Sequence, residues 1–327
     1  MATYGKEVKY SGLPMLPPWA ELTIDVSVAS KMLEASRHLA HLDGLVSMLP
    51  DKRMFIEAIV YKEAVASCAI DGLRETDPIV EQYRKVLVRE SQAVIGGKRF
   101  TEESIFSAYS ELEKDHLEEG LSKYDEALKR TISYLTKLMS RDFGFPDDPL
   151  FRMALVQYQF EATQAFPGKA GRAGRLFSIL YLIQEGMLCQ PCICPSAYHL
   201  QRISAYSEAI RSVSTSRNWK QWVLHMLDII LSVSDYTAEL ILRIQALKEK
   251  IGTAILENGL QVERMDLSTL FSVPYISPKT LMSDSIKSLN TAKKYLGQLE
   301  ELGFLAKTRV GKEYVWINTG LMQILSE

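Results

Sequence analysis

The residues with the strongest potential for chemistry lie in one segment, 160–175, between two predicted helices. A glycine-containing loop there leads into a helix whose first turn contains Arg172 and Arg175. The first N–H groups of a helix have no partners within it, and the helix dipole favours negative charge at that end. Guanidinium groups add charge-assisted donors for phosphate or carboxylate oxygens. The pattern therefore predicts an anion site, with a tight turn between two packed helices as the simpler alternative.

A second group of reactive residues comprises Cys189, Cys192, Cys194 and His199, whose spacing is similar to that of a zinc site. It is a single cluster, and reduced cysteines that are buried behave as small apolar side chains. We therefore expect buried thiols here and predict no metal site.

The chain that must position these groups has 327 residues, a formal net charge of −2 and 47% hydrophobic residues. This length predicts two domains, and the composition is typical of a soluble globular protein. The near-neutral balance provides no global field that would hold nucleic acid or an anionic membrane. Four cysteines are too few for a disulfide framework, and the first residues lack the apolar core of a secretory signal. We expect a cytoplasmic protein without a membrane partner.

The large domain is predicted to be all α. Apolar residues recur at helical spacing from about residue 26 to residue 255, and the alternation typical of strands is almost absent before residue 300. Asp148 is a predicted N-cap with Pro149 at the first helical position. Residues 105–140 have the pattern of a continuous helix, and the proline-rich segment 13–19 predicts an extended arm.

The C-terminal region has a different pattern. Residues 277–316 predict a helix, a turn, a second helix from Ser288 to Gly303, and a hairpin around 310–312. This order is the outline of a winged helix-turn-helix, which reads DNA with its second helix and contacts phosphates with its wing. The DNA-binding candidates are Asn290, Thr291, Lys293, Lys294, Lys307, Arg309 and Lys312. Winged helices also act as docking or dimerisation modules, so a homodimer or a protein partner is the alternative.

The segment 160–175 resembles the signature of Fic domains. That signature is His-Pro-Phe, a variable residue, an acidic residue, Gly-Asn-Gly-Arg, two variable residues and Arg. Similar landmarks of the family flank it: Leu16-Pro17-Pro18, Leu42-Asp43-Gly44, Lys62-Glu63-Ala64, Ser67 to Gly72, Ser196-Ala197-Tyr198 and Trp219 to Leu227. The resemblance covers nearly the whole chain. It implies a mainly α, Fic-type helical bundle with a small C-terminal winged helix of the α+β type.

The resemblance also implies a division of the chain into three parts. Residues 1–95 are expected to form the N-terminal region, and 96–256 the Fic core. Residues 257–327 are expected to form the winged helix-turn-helix.

Fic domains typically transfer AMP from ATP to a hydroxyl of a target protein. The resemblance assigns a general base to the signature His, Mg²⁺ binding to the acid, phosphate contacts to the glycine turn, and target alignment to an upstream flap. In this chain Gln164 takes the place of the base, Gly168 of the acid, Lys169 of the first glycine and Ala170 of the asparagine. The flap sequence is also missing. We therefore predict a pseudoenzyme; the alternative is an active transferase with a non-standard base, for which His116 is a remote candidate.

The remaining motif residues predict a modified phosphate site. The resemblance assigns phosphate binding to Gly171, Arg172, Gly174 and Arg175, and Lys169 adds a positive charge where the family has none. These cations could neutralise phosphates by themselves, which predicts binding of a nucleotide such as ATP without Mg²⁺. A solvated loop lysine is the alternative for Lys169.

A further resemblance concerns an inhibitory helix of the family, in which a Glu followed by Gly or Asn pairs with the second signature Arg. Ser67, Asp71 and Gly72 match its pattern. Because Asp is one methylene shorter than Glu, the sequence leaves open whether Asp71 reaches Arg175. We expect a structural salt bridge in preference to a regulatory one.

Overall fold

The structure is a computed structural model. It describes residues 22–49, 51–112, 129, 132–140, 148–163, 171–259, 267–283, 286–311 and 313–327. The chain divides into two compact units, of which the first comprises 1–44 and 59–235 and the second comprises 45–58 and 236–327. Each cut between the two units falls within a helix, and the division into residues 1–95, 96–256 and 257–327 stays a prediction.

The regular elements that the structure describes in the first unit are all helices, joined by turns and short loops. Its helices are α1 (Val26–Met48), α2 (Arg53–Ile70), α3 (Pro78–Ile95), α4 (Glu102–Leu112), α5 (Pro149–Thr163), α6 (Gly171–Gln184), α7 (Pro195–Gln201), α8 (Ile203–Ser216) and α9 (Trp219–Glu257), of which α1, α2 and α9 continue into the second unit. Residues 132–138 are also helical. The predicted mainly α architecture is thus confirmed, while the middle of the long helix predicted over 105–140 lies outside the described residues.

The start of α5 follows from its capping residues. The N–H of Phe151 donates to Asp148 Oδ1 at 3.0 Å, and Pro149 occupies the first helical position, where its missing N–H costs nothing. The sequence prediction for this boundary is confirmed.

The centre of the first unit is α6. Every residue from Gly171 to Ile183 is buried, as expected for a helix surrounded by other helices. The rings of Phe160 on α5 and Phe177 on α6 are stacked with their centroids 5.2 Å apart. The first turn of α6, with its two arginines, is therefore buried inside the unit.

The second unit combines short helices with a hairpin. Its further elements are α10 (Thr269–Ser272), α11 (Leu289–Glu301), β1 (Leu305–Val310), β2 (Glu313–Asn318) and α12 (Thr319–Ser326). The strands pair antiparallel with Leu305 opposite Asn318 and Val310 opposite Glu313, and Ile276 bridges to Trp316. The second predicted helix and the hairpin are confirmed.

The helix predicted to begin at Ser277 was wrong, because the chain forms a turn there. The N–H of Thr280 donates to the carbonyl oxygen of Ser277 at 3.0 Å, and the N–H of Ser277 donates to Thr280 Oγ1 at 3.2 Å. Ser and Thr side chains offer the backbone such local partners, which compete with a continuous helix.

Within the described ranges, no helix combines the length and the hydrophobicity that crossing a membrane requires.

The contact between α5 and α6 yields a stability prediction. A Cβ added at Gly174 would lie 2.9 Å from Phe160 Cβ, so Gly174→Ala must push the two helices apart. We expect a loss of about 1–3 kcal/mol in the free energy of unfolding. Denaturant unfolding followed by circular dichroism measures this loss.

Gly297→Ala is the matched control. Gly297 lies inside α11, and an added Cβ would have open space there. Because Ala favours helix over Gly by about 0.5–1 kcal/mol, this variant should be slightly more stable than the wild type. Equal effects of the two substitutions would contradict the proposed close approach at Gly174.

Candidate active site

The Arg175 guanidinium is fixed by three residues, and its side chain is only 1% exposed. Its Nε donates to Ser67 Oγ at 2.7 Å, and its Nη2 donates to the Ser67 carbonyl at 2.9 Å and to Asp71 Oδ1 at 3.1 Å. Its Nη1 lies 3.7 Å from Glu161 Oε1. A buried charge is tolerated only when it is paired and hydrogen-bonded, and Arg175 meets both conditions.

Arg172 shares the same acidic partner. Its Nε lies 3.3 Å from Asp71 Oδ2, and its side chain is 3% exposed. The carboxylate of Asp71 therefore lies between the two arginines of the motif. Asp71 reaches Arg175 in spite of its short side chain, which answers the question that the sequence left open.

The end of α2 places Ser67 and Asp71 for these contacts. The two residues are four positions apart, so they lie on one face of a helix. The helix ends at Ile70 and the chain turns at Gly72, whose φ of +78° is a conformation that glycine adopts without strain. The N–H of Gly72 donates to the Ala69 carbonyl at 3.0 Å, which closes the turn after the helix.

Glu161 is a site residue that the sequence analysis missed. It is buried, and it accepts a hydrogen bond from the Tyr206 hydroxyl at 2.5 Å. Burial raises the pKa of Glu161, whereas the charge of Arg175 lowers it. The sequence did contain a signal for this residue, because Glu161 is the single acidic residue of α5 and lies among apolar and amide side chains.

The glycine Gly171 allows this ion pair to form. A Cβ at this position would lie 2.5 Å from Glu161 Oε1 and 2.6 Å from Arg175 Nη1. A side chain at this position would force one of these two groups to shift out of the ion pair. Together with the packing of Gly174 against Phe160, this gives both motif glycines a structural role.

Glu63, also missed as a site residue, anchors the helix that holds Ser67. It is fully buried and accepts hydrogen bonds from the Ser196 N–H at 2.9 Å, from the Ser196 hydroxyl and from the Tyr83 hydroxyl at 3.2 Å. Burial raises its pKa to about 7, although the hydrogen bonds from Ser196 oppose this shift. The network joins α2 to α3 and to the start of α7.

The structure brings together part of the predicted site. Gly171, Arg172, Gly174 and Arg175 form the first turn of α6, and Ser67, Asp71 and Gly72 lie against it at the end of α2. Gln164, Lys169, Gly168, Ala170 and His116 lie outside the described residues.

The predicted DNA-binding residues belong to the second unit. Asn290, Thr291, Lys293 and Lys294 lie on α11, and Arg309 lies on β1. Lys312 falls outside the described residues.

Neither the arginine cluster nor the cysteine segment offers a set of metal ligands among the described residues. Over the ranges that the structure describes, no three His, Cys, Asp or Glu side chains are grouped as ligands of one ion. Asp71 and Glu161 are both paired with guanidinium groups, so neither fits a Mg²⁺ site. Cys194 is buried, and burial raises the pKa of its thiol well above its usual range.

Two family models and a solved structure are similar to this chain. The family model described as Fic/DOC family N-terminal matches residues 29–132, and the one described as protein adenylyltransferase SoFic-like, C-terminal domain, matches residues 261–321. A Fic family protein from Desulfovibrio desulfuricans G20 has a similar crystal structure, with a TM-score of 0.55 and 15% sequence identity. The similarity covers 93% of this chain and 98% of that chain, and at this identity it shows a shared fold.

The buried Glu63 predicts a dependence of stability on pH. Its pKa is raised from 4.5 to about 7 in the folded protein, so the folded state binds this proton more tightly than the unfolded chain. The resulting stabilisation is complete below about pH 4.5 and is lost as the pH rises through 7. We expect this group to lower the free energy of unfolding by roughly 3 kcal/mol over that window.

In Glu63→Gln, the free energy of unfolding should change less between about pH 4.5 and 7 than in the wild type. Urea unfolding at several pH values measures this dependence. The exposed Glu103→Gln serves as the control and should keep the wild-type profile. A Glu63→Gln profile parallel to the wild type would show that Glu63 stays ionised when buried.

Proposed function

Because this chain is a Fic/Doc domain protein of the AMP-transferase-like type, we propose that it is a catalytically impaired member of that family. It acts as a regulatory or binding module, through DNA or a partner protein. The observation that carries this proposal is the division of its signature segment into residues that remain and residues that are lost.

The residues that remain all have a structural role. Gly171 makes room for the ion pair between Glu161 and Arg175, and Gly174 permits close packing of α5 on α6. Arg172 and Arg175 bind the end of α2 through Asp71. The need to preserve the fold is therefore sufficient to explain why these glycines and arginines remain.

The residues that are lost are those required for the chemistry. Gln164 carries an amide, which does not accept a proton at neutral pH, and Gly168 has no side chain that could hold Mg²⁺. Loss of a general base alone typically lowers a rate by about 10²–10⁴-fold. Loss of the metal ligand adds to this effect, which supports an impaired enzyme.

The electrostatics of the site support the same proposal. Two buried cations, Arg172 and Arg175, face two carboxylates, Asp71 and Glu161, so the group is formally neutral. A triphosphate would have to replace the carboxylate of Asp71 at both arginines. Any nucleotide that binds is then held by Lys169 and the arginines without Mg²⁺.

The first test measures transfer directly. Incubation of the wild type with ATP and Mg²⁺ should add no adenylyl group to the protein itself or to proteins of a lysate, as measured by intact mass and by labelled ATP. Arg172→Ala is the control variant. An adduct that forms with the wild type and disappears with Arg172→Ala would establish the alternative, an active transferase with a non-standard base.

The second test measures nucleotide binding by calorimetric titration of ATP in EDTA. Asp71→Asn removes the competing negative charge and keeps the size of the side chain, so ATP should bind at least about tenfold more tightly than to the wild type, a gain of about 1.4 kcal/mol. Arg172→Ala should abolish binding. Binding that is lost when Mg²⁺ is chelated would contradict a metal-independent phosphate site.

A further inference from the structure

The second unit carries a surface that suits a particular partner. We infer that this surface binds duplex DNA, with α11 in the major groove and the β1–β2 hairpin against the phosphate backbone. The inference rests on the proposed function, because it names the partner of the binding module.

The two faces of α11 have different roles. Ala292, Leu296 and Leu299 are buried in a core that also contains Leu305 and Trp316 of the hairpin. The opposite face is exposed and carries Asn290, Lys293 and Lys294 in its first half and the acid Glu301 at its far end. The helix is therefore fixed on its scaffold while its polar face is presented to solvent.

The charge on that face is concentrated in the first half of the helix. Lys293 and Lys294 lie there without an acidic neighbour on the helix, whereas Glu300 and Glu301 lie at the far end. Glu300 accepts a hydrogen bond from Trp316 Nε1 at 2.8 Å and is directed toward the hairpin. Recognition helices contact base edges with their N-terminal residues, which is where these lysines are.

The hairpin adds a second positive element. Lys307 and Arg309 are exposed and two residues apart, so they lie on one face of β1. The Lys307 ammonium lies 4.7 Å from the centre of the Tyr314 ring, an arrangement that holds it by a cation–π contact. Side chains of this kind contact phosphates and fix the register of a protein on DNA.

Charge complementarity favours DNA over an acidic protein surface. The whole chain has a net charge of −2, so attraction must come from a local patch. Here that patch follows a helix and an adjacent hairpin, and Asn290 provides an amide of the kind that pairs with adenine in the major groove. The exposed acid of the hairpin, Glu313, lies 4.0 Å from Lys279.

The test uses the full-length protein and a fluorescent duplex of about three helical turns with mixed sequence. Anisotropy should detect binding at low salt, and the affinity should fall steeply between about 50 and 200 mM salt. Lys293→Ala/Lys294→Ala should weaken binding about tenfold or more and reduce the slope of log K against log salt by about 2.

Lys98→Ala/Arg99→Ala is the matched control. It removes the same charge from exposed positions of the first unit and should leave the affinity within about twofold. Equal losses in the two double variants would show a global charge effect and overturn the assigned surface. No binding by folded wild type at the lowest salt would overturn the inference and favour a protein partner.

A failure of the proposed function would be seen in the mass measurement and not in the anisotropy measurement. An adenylyl adduct in the mass measurement would overturn the loss of catalysis and leave the anisotropy curve unchanged.

Discussion

The structure of the first unit depends on the burial of two guanidinium groups beside one carboxylate. An unpaired buried charge costs several kcal/mol, so each element near Arg172 and Arg175 must supply a partner. The end of α2 supplies Ser67 and Asp71, and the end of α5 supplies Glu161. The relative positions of these helices are therefore restricted by the requirement to neutralise one pair of arginines.

The need to neutralise these arginines also explains why some residues of the signature segment are retained for the fold alone. The contacts that neutralise Arg172 and Arg175 occupy the guanidinium groups that the proposed phosphate site would use. Gly171 is required by the ion pair between Glu161 and Arg175, and its requirement is independent of any ligand. A chain can thus retain half of a catalytic motif because that half holds helices together, while the residues for proton transfer and metal binding are free to change.

The two units differ in where their arginines and lysines lie. The first unit buries Arg172 and Arg175 beside carboxylates that neutralise them, whereas the second unit exposes Lys293, Lys294 and Arg309. Internal charges specify the arrangement of helices, and surface charges attract a partner at longer range. Both distributions support the proposal of an impaired enzyme that uses one unit as scaffold and the other for binding.

The sequence by itself determined the features that depend on neighbouring residues. The cap at Asp148 and Pro149, the helix after Ser288 and the hairpin around Gly311 follow from local preferences. The proposed loss of the general base at Gln164 follows from residue type alone. The turn after Ser277 was missed because local Ser and Thr hydrogen bonds prevailed over a helical pattern.

Only the tertiary structure decided the contacts between distant residues. Asp71 and Arg175 are more than a hundred residues apart, and a short side chain reaches its partner only if the two helices approach closely enough. The same holds for Glu63 with Ser196 and for Glu161 with Tyr206, since burial and pairing arise from packing and not from spacing along the chain.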